Sequence, residues 1–196
     1  MKVFQNLHDP EVVLLLKSGA VGVLPTDTVY GIVCRAANEQ SAARLYALKK
    51  DGHEPGTLIS LNIDQCVDLG LKRRYLSAVE RYWPSPVSVI IPMTAVNYLR
   101  RDAEGLAVRL PSDEDIRSLL SETGSLITSS ANLPGKPVAN SLTEAQAYFG
   151  ELVDFYVDGG DLSGRLPSTT IRIIDDAVEV LLQGAVKIDE TGRVIQ

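Results

Sequence analysis

Short apolar runs alternate with segments of helical periodicity along the whole chain. Apolar runs bounded by turn residues predict β-strands at 20–24, 57–61, 87–91, 106–110, 125–128, 155–157, 170–174 and 178–182. Apolar residues at helical spacing predict helices from Pro10 to Gly19, over 39–50, twice between 64 and 82, after Ser112, and around 144–149. The alternation predicts an α/β fold in one domain spanning residues 1–196.

Capping residues mark where several of these helices begin. Asp9 supplies an N-cap for the first helix, just before a first-turn proline. Ser112 is the predicted N-cap of a later helix, with three acidic residues near its positive end. Ser141 or Thr143 is the predicted cap of the last helix. Residues 25–31 are predicted to form a loop after the first strand.

Composition and length restrict the class of protein. The chain has 196 residues, of which 45% are hydrophobic and 22% are charged, enough for one compact core. It has no run of about eighteen apolar residues, and its first residues do not resemble a signal peptide. We therefore expect a cytoplasmic protein with no membrane partner. Cys34 and Cys66 lie outside any CxxC or His-rich pattern, which predicts neither a disulfide framework nor a metal site.

The formal charge of the chain argues against wholesale binding to nucleic acid. Its net charge is −6, whereas neutralising many phosphates needs a basic surface. Lys72-Arg73-Arg74 and Arg100-Arg101 are local basic clusters that can contact nucleic acid, although such clusters are usually solvated faces of helices or loops. A small-molecule site is the leading hypothesis.

Three segments place polar side chains at the ends of predicted strands. The run Thr26–Tyr30 contains two hydroxyls, a carboxylate and a phenol, and a glycine follows it. Arg109 puts a guanidinium into an apolar strand, where it costs desolvation free energy unless an anion or a carboxylate meets it. The run Thr128–Asn132 supplies short hydroxyls and one carboxamide. Ligands of open α/β sheets bind at strand ends, so these segments predict a binding site.

Taken together, the segments resemble the YrdC/Sua5 family, whose members have a PT(D/E)TVYG-like loop, an AVR strand and an SxN element in this order. Pro25–Gly31, Ala107–Arg109 and Ser130–Asn132 match those motifs. Trp83–Pro86 is similar to the family's WPGP, and Pro167–Ile171 to its PSTI. The resemblance implies a YrdC-like twisted mixed parallel/antiparallel sheet with flanking helices and a large concave cavity.

The resemblance also implies an activity. Catalytic members of the family are L-threonylcarbamoyladenylate synthases, nucleotidyltransferases that form threonylcarbamoyl-AMP and pyrophosphate from L-threonine, bicarbonate and ATP, with Mg²⁺ accompanying the ATP. The product serves the threonylcarbamoyladenosine modification of tRNA, and its transfer would require partner proteins of tRNA modification. A second interpretation stays open: a YciO-like member that binds a nucleotide, tRNA or double-stranded RNA with weak or no synthase activity.

The resemblance assigns roles residue by residue. At the threonine and carbamoyl end it places Thr26, Thr28, Tyr30, His53, Arg109 and Ser168. At the ATP end it places Lys49, Lys50, Ser130, Asn132 and Ser141. The catalytic candidates among these are Lys49, Ser130 and Asn132, and no protein ligand for a metal is implied. Hydroxyls and a guanidinium suit an amino acid with its carboxylate, whereas an ammonium group suits polyphosphate.

Three positions depart from the family pattern. Asp51 stands where members have the Arg of a Lys-x-Arg motif, Glu54 or Pro55 where they have a later Lys, and Leu182 where they have a late Arg. Each lost charge-assisted hydrogen bond is worth about 1.5–3 kcal/mol, so ATP binding should weaken unless other cations compensate. The candidates for compensation are Lys50, Lys136, Arg165 and Arg172. The run 51–53 resembles the YciO branch, whereas 130–132 is synthase-like.

The same residues also allow simpler roles. Thr26 and Thr28 can end a strand, and Arg109 can pair with a structural carboxylate. A hydrolase triad built on a serine of the 128–132 run, His53 and Asp27 lacks the GxSxG turn that such a nucleophile needs. The order of the motifs along the chain favours the synthase over these alternatives.

Overall fold

The computed structural model describes residues 2–50, 55–93, 95–175 and 177–195. Their helices are α1 (Pro10–Lys17), α2 (Glu39–Lys49), α3 (Ile63–Asp68), α4 (Arg73–Ala78), α5 (Asn97–Arg100), α6 (Glu114–Thr123) and α7 (Leu142–Phe149). Their strands are β1 (Lys2–Phe4), β2 (Gly22–Pro25), β3 (Tyr30–Arg35), β4 (Thr57–Ile59), β5 (Val87–Pro92), β6 (Gly105–Arg109), β7 (Leu126–Ser130), β8 (Phe155–Val157), β9 (Thr169–Ile174), β10 (Ala177–Leu182), β11 (Lys187–Ile188) and β12 (Val194–Ile195). Short 3₁₀ turns lie at Glu80–Tyr82 and Gly150–Leu152.

Ten of these strands form one mixed sheet, in the order β1-β8-β2-β3-β7-β4-β6-β5-β9-β10. The neighbours β1–β8, β8–β2, β4–β6 and β5–β9 are parallel, and the other neighbours are antiparallel. Strands β11 and β12 form a separate antiparallel pair. The prediction of a mixed α/β sheet with flanking helices is confirmed.

Side-chain caps fix the starts of several helices. Asp9 accepts a hydrogen bond from the backbone of the first turn of α1, and Ser141 caps α7, both as predicted. The prediction that Ser112 caps α6 is wrong. The helix begins one residue later, and Asp113 accepts the hydrogen bond from Ile116 N at 3.0 Å. A carboxylate at this position also interacts favourably with the positive end of the helix dipole.

Strand β3 is the main element that the pattern did not predict, and its first two residues fall in the predicted loop 25–31. Its residues Tyr30–Cys34 are all buried, so the strand lacks the apolar–polar alternation by which half-buried strands are recognised. Strands β1, β11 and β12 were also missed. They contain only three, two and two residues, too few to give a periodic signal.

The two faces of the sheet carry separate hydrophobic clusters. Helices α1 and α6 cover one face, and their Leu16 and Leu120 pack with Val33 and Ile59 of the sheet. The opposite face packs against α2, α7 and the segments around α3–α5. On the first face, the strand register places Arg109 beside Ile59, and further along the sheet the side chains become half-buried and then exposed. Thr170 and Leu182, on the outer strands β9 and β10, line the cavity described below.

The helices of the described ranges are short. The longest is α2 with 11 residues, and none of them reaches the length and hydrophobicity of a membrane span. A spanning helix needs about 20 apolar residues to cross the hydrocarbon core.

Candidate active site

A cavity of about 290 Å³ opens where the ends of several strands meet. The predicted site residues that line it are Thr26, Thr28, Tyr30, Arg109, Ser130 and Ser168. They come from the β2–β3 turn, the ends of β6 and β7 and the segment before β9, which the sheet order brings together. Ligand pockets usually measure ~300–1,000 Å³, so this cavity suits a small ligand or one end of a larger one.

The β2–β3 turn is held by its own threonines. Thr26 Oγ1 donates to Val29 O at 2.7 Å and accepts from Thr28 N at 3.2 Å. The two threonine hydroxyl oxygens lie 3.0 Å apart, and both residues are buried. Because the Thr26 proton is committed to Val29, Thr28 Oγ1 is the donor of this pair and keeps lone pairs for a ligand in the cavity. The two threonines therefore stabilise the turn at the end of β2, and Thr28 can also bind a ligand.

Arg109 meets a carboxylate, that of Asp27. Arg109 Nη2 donates to Asp27 Oδ1 at 2.8 Å, and the side chains are only 4% and 3% exposed. Burial raises the pKa of Asp27 above its ordinary value of 3.8; the charge of Arg109 opposes this shift, and Asp113 adds a small further rise. The sequence considered Asp27 only as a member of a hydrolase triad and did not assign it to the site.

Tyr30 is among the residues that line the cavity, and its hydroxyl is bonded to the loop after β8. The hydroxyl accepts from Gly159 N at 2.8 Å and donates to Gly160 O at 2.9 Å. Burial raises the pKa of Tyr30, so the phenol stays protonated and can donate. In this arrangement Tyr30 fixes the loop after β8.

The opposite wall comes from β9 and the end of β10. The Ser168 hydroxyl lies 2.9 Å from that of Ser88, and Leu182 lines the cavity where the family pattern has a late Arg. The chain then passes close to Pro167, because a Cβ on Gly184 would lie 2.2 Å from Pro167 O. Only glycine allows this approach, which keeps β10 against the segment that carries Ser168.

Lys49 is placed beside the cavity and is almost fully buried, with 3% exposure. Its ammonium donates to Ser130 O at 2.8 Å, to Asn132 O at 2.9 Å and to Asn132 Oδ1 at 2.8 Å. The sequence suggested a mobile point charge for polyphosphate. The structure instead engages this lysine with the turn that follows β7.

Asn132 completes that turn. Its Oδ1 also accepts from Ser130 Oγ at 2.7 Å, and its Nδ2 donates to Lys136 O at 2.8 Å. The three catalytic candidates Lys49, Ser130 and Asn132 are thus in mutual contact. Of these, Ser130 reaches the cavity wall.

The other predicted ATP-site residues lie outside the cavity wall. Ser141 accepts from Glu144 N at 3.3 Å as the cap of α7. Lys50 is exposed and ends α2 in a left-handed conformation with φ of 54°. His53, Asp51 and Glu54 lie outside the described residues, so the roles and departures assigned to them remain predictions.

The cations proposed to compensate for the missing arginines differ in their position relative to the cavity. Arg165 is the closest to the site, with Nη1 3.5 Å from Thr26 O. Arg172 is paired with Glu179 at 2.6 Å on exposed strands, and Lys136 is exposed in the turn after β7. Of these three, Arg165 is the one that has a polar contact to a residue of the cavity wall among the described residues.

The cavity wall also contains residues that the sequence did not assign. Thr128 and Ser129 belong to the hydroxyl-rich run that the sequence had singled out. Thr170 lies in the run Pro167–Ile171 that resembles the family's PSTI, whereas Thr57 had no distinguishing signal, because a threonine at the start of a strand is ordinary. Strand pairing brings them to the site, since Thr57 lies opposite Thr128.

Few of the described residues are suited to bind a metal ion or to act as a thiol nucleophile. In residues 2–50, 55–93, 95–175 and 177–195, no group of three His, Cys, Asp or Glu side chains is arranged to hold a metal ion. Burial raises the pKa of Cys34 to about 12 and that of Cys66 to about 11. Such thiols stay protonated near neutral pH and are poor nucleophiles.

Comparison with known proteins gives consistent results for sequence and fold. The family model named for Sua5, YciO and YrdC, described as "Telomere recombination", matches residues 14–184. A threonylcarbamoyl-AMP synthase of Aliivibrio fischeri is 32% identical over 176 residues, which cover 86% of this chain and 94% of that protein.

Two solved structures share the fold. P. abyssi Sua5 complexed with L-threonine has a TM-score of 0.83 at 21% identity, and the match covers 95% of this chain and 58% of that one. E. coli YciO has a TM-score of 0.79 at 21% identity, covering 94% of this chain and 96% of that one. The chain therefore spans less than two thirds of the Sua5 protein. At these identities the structures support the likeness of fold alone.

Proposed function

The chain belongs to the Sua5/YciO/YrdC family, and we propose on that premise that it is an L-threonylcarbamoyladenylate synthase. It would form threonylcarbamoyl-AMP and pyrophosphate from L-threonine, bicarbonate and ATP. One observation carries the proposal. Thr26, Thr28, Arg109 and Ser168 line the same cavity, next to the turn that contains Ser130. The synthase named as a relative covers most of this chain.

The threonine end of the cavity has groups that match an amino acid. A guanidinium binds a carboxylate through charge-assisted hydrogen bonds, and Arg109 lines the wall. Hydroxyls of Thr28 and Ser168 can exchange hydrogen bonds with the ammonium and hydroxyl groups of threonine. Tyr30 also lines the cavity, and we assign His53 to the same end from the family resemblance alone.

The reaction requires positioning more than covalent help. The amine of L-threonine combines with bicarbonate and loses water, which gives N-carboxythreonine. An oxygen of the new carboxylate attacks the α-phosphorus of ATP, and the bond from that phosphorus to pyrophosphate breaks. Rigid hydrogen-bond donors that face the developing charge stabilise such a transition state. The turn of Ser130 and Asn132, fixed by Lys49, supports this role.

The triphosphate would extend from that turn onto the open face of the sheet. We assign Lys50 and Arg165, whose side chains are exposed, as candidate cations for the phosphates, and Ser141 as a candidate hydroxyl contact. Mg²⁺ would arrive with ATP, since this ion is usually held by substrate phosphates and water with few protein ligands. The ion would neutralise part of the phosphate charge.

The further context is proposed from the family. The product would pass to partner proteins that modify tRNA, in the cytoplasm, and tRNA or double-stranded RNA is a further candidate ligand. The alternative of a YciO-like binding module without synthase activity has the support of a shared fold at 21% identity. The named relative favours the synthase.

Release of pyrophosphate from ATP and Mg²⁺ tests the proposed function. We expect release that requires both L-threonine and bicarbonate. Asn132→Ala should lower the rate by about 10²-fold, because the turn loses its central acceptor and one donor. Asn140→Ala, a matched asparagine whose side chain is outside the cavity wall, should keep the wild-type rate. Release that does not depend on threonine would reject the synthase.

A further inference from the structure

The ion pair of Asp27 and Arg109 joins distant parts of the chain at the threonine end of the cavity. Asp27 comes from the turn after β2, and Arg109 is the last residue of β6. The two charged side chains are almost completely buried, 2.8 Å apart. Removing two charges from water costs several kcal/mol per ion, which a single hydrogen bond does not recover in full. Stability alone is therefore a weak reason for this pair.

The pair is also incomplete in its hydrogen bonds. Throughout the described part of the chain, neither Asp27 Oδ2 nor Arg109 Nε has a partner. Arg109 Nη2 is bound to Asp27, so the Nη1 side of the guanidinium is the part that can meet a ligand in the cavity. A guanidinium held at one edge by a carboxylate has a fixed plane, which is what bidentate recognition of a second carboxylate requires.

The charge of the pair has a further consequence. Asp27 cancels the charge of Arg109, and Asp113, the cap of α6, adds negative potential nearby. Arg165 contacts Thr26 O from the other side and is exposed. An L-amino acid is a zwitterion with no net charge, whereas ATP and pyrophosphate are polyanions. A buried guanidinium without a counter-charge would bind phosphate as readily as carboxylate.

We propose that Asp27 is a specificity-determining residue that positions Arg109 for the carboxylate of the amino acid and keeps phosphate out of the threonine end. The inference rests on the proposed function, because it takes L-threonine as the ligand of this end. Asp27 acts through Arg109 and does not itself contact the substrate.

Binding of L-threonine in the absence of ATP, measured by calorimetry, tests this inference separately from the synthase activity. In Asp27→Asn the dissociation constant for L-threonine should rise about 10- to 100-fold, as expected when one partner of a buried charge pair is lost. Pyrophosphate should become a competitive inhibitor of threonine binding in this variant. Asp115→Asn removes an exposed negative charge from the first turn of the same helix, and should leave both the threonine affinity and the exclusion of pyrophosphate as in the wild type.

A double-mutant cycle shows whether Asp27 acts through Arg109. Once Arg109 is replaced by Met, the further change Asp27→Asn should have little effect on threonine affinity. If the effects of the two substitutions on threonine affinity are additive, the proposal is overturned. It is also overturned if Asp27→Asn binds threonine as tightly as the wild type does, or if this variant binds threonine weakly and pyrophosphate no better than the wild type.

The fold of each variant is checked by circular dichroism before binding is measured. If Asp27→Asn does not fold, Asp27→Glu keeps the charge and displaces the guanidinium by one methylene. It should bind threonine several-fold more weakly and still exclude pyrophosphate, and wild-type affinity would overturn the positioning role. Threonine binding by a wild type that releases no pyrophosphate would reject the synthase and leave this inference standing. No threonine binding by the wild type would reject both.

Discussion

Two buried cations, Lys49 and Arg109, have different partners at the two ends of the site. Arg109 is neutralised by one carboxylate and lines the cavity. Lys49 donates to three oxygen atoms of Ser130 and Asn132 and so fixes the turn that follows β7. A lysine in this arrangement affects the chemistry through the groups it holds. Its replacement by an apolar side chain removes three charge-assisted hydrogen bonds to this turn.

Replacement of Lys49 by Met tests this role. We expect the free energy of unfolding to fall by about 2–4 kcal/mol, because the turn loses three charge-assisted hydrogen bonds from the ammonium group. Urea unfolding followed by circular dichroism measures it. Lys50→Met is the matched control, since Lys50 is exposed, and should change the unfolding midpoint little. Equal midpoints for both variants would contradict a structural role for Lys49.

At the scale of elements, Asp154 links three parts of the fold just before β8. Its carboxylate accepts from Val21 N at 2.8 Å, next to β2, and from Arg44 Nη1 of α2 at 2.5 Å. Burial alone would raise the pKa of Asp154. The hydrogen bonds from Arg44 and Val21 and the charge of Arg44 outweigh burial and lower it below 3.8. Ionised Asp154 therefore stabilises the junction of β2, β8 and α2.

The contribution of Asp154 should depend on pH. A lowered folded-state pKa means that the stabilisation is complete above the unfolded value of about 3.8 and is lost as pH falls through the folded value. We expect Asp154→Asn to cost about 1 kcal/mol at pH 7, a small value because the side chain is partly exposed. Denaturation at pH 7 and at pH 3 measures the difference between variant and wild type. If the difference in unfolding free energy between the variant and the wild type is as large at pH 3 as at pH 7, the effect comes from packing and not from the charge of Asp154.

At the scale of the whole molecule, the site exists because one long sheet brings together segments from four regions of the chain. The β2–β3 turn, the ends of β6 and β7 and the start of β9 all belong to the same ten-stranded sheet. A ligand that contacts several of them links their stabilities. Such a ligand stabilises the folded chain by an amount that grows with its concentration relative to its dissociation constant.

L-Threonine should therefore raise the unfolding temperature of the protein. At a hundred times the dissociation constant, the expected stabilisation is about 2.7 kcal/mol. L-Valine has nearly the same shape without the hydroxyl, so it leaves polar groups of the cavity without partners and should stabilise much less. A thermal scan over a range of concentrations of each amino acid measures both. Equal shifts would show that the hydroxyls of Thr28 and Ser168 do not recognise the side chain.

The sequence by itself determined the class of fold and identified six of the residues that line the cavity. Apolar runs and caps predicted the α/β alternation, because burial and capping act over a few neighbouring residues. The motif order, read as a family resemblance, supplied six residues that line one cavity. Local rules failed where the signal was absent, as in fully buried β3, or ambiguous, as in the cap of α6, where Asp113 replaces the predicted Ser112.

Only the tertiary structure decided which groups are partners. The pairing of Asp27 with Arg109, of Tyr30 with the loop after β8 and of Lys49 with the turn after β7 spans 82, 130 and 83 positions of sequence. Such contacts follow from strand order and register, which fix neighbours across the sheet and leave no trace in local composition. The sequence supplied the guanidinium and the ammonium, and the sheet determined that one meets a carboxylate and the other a turn.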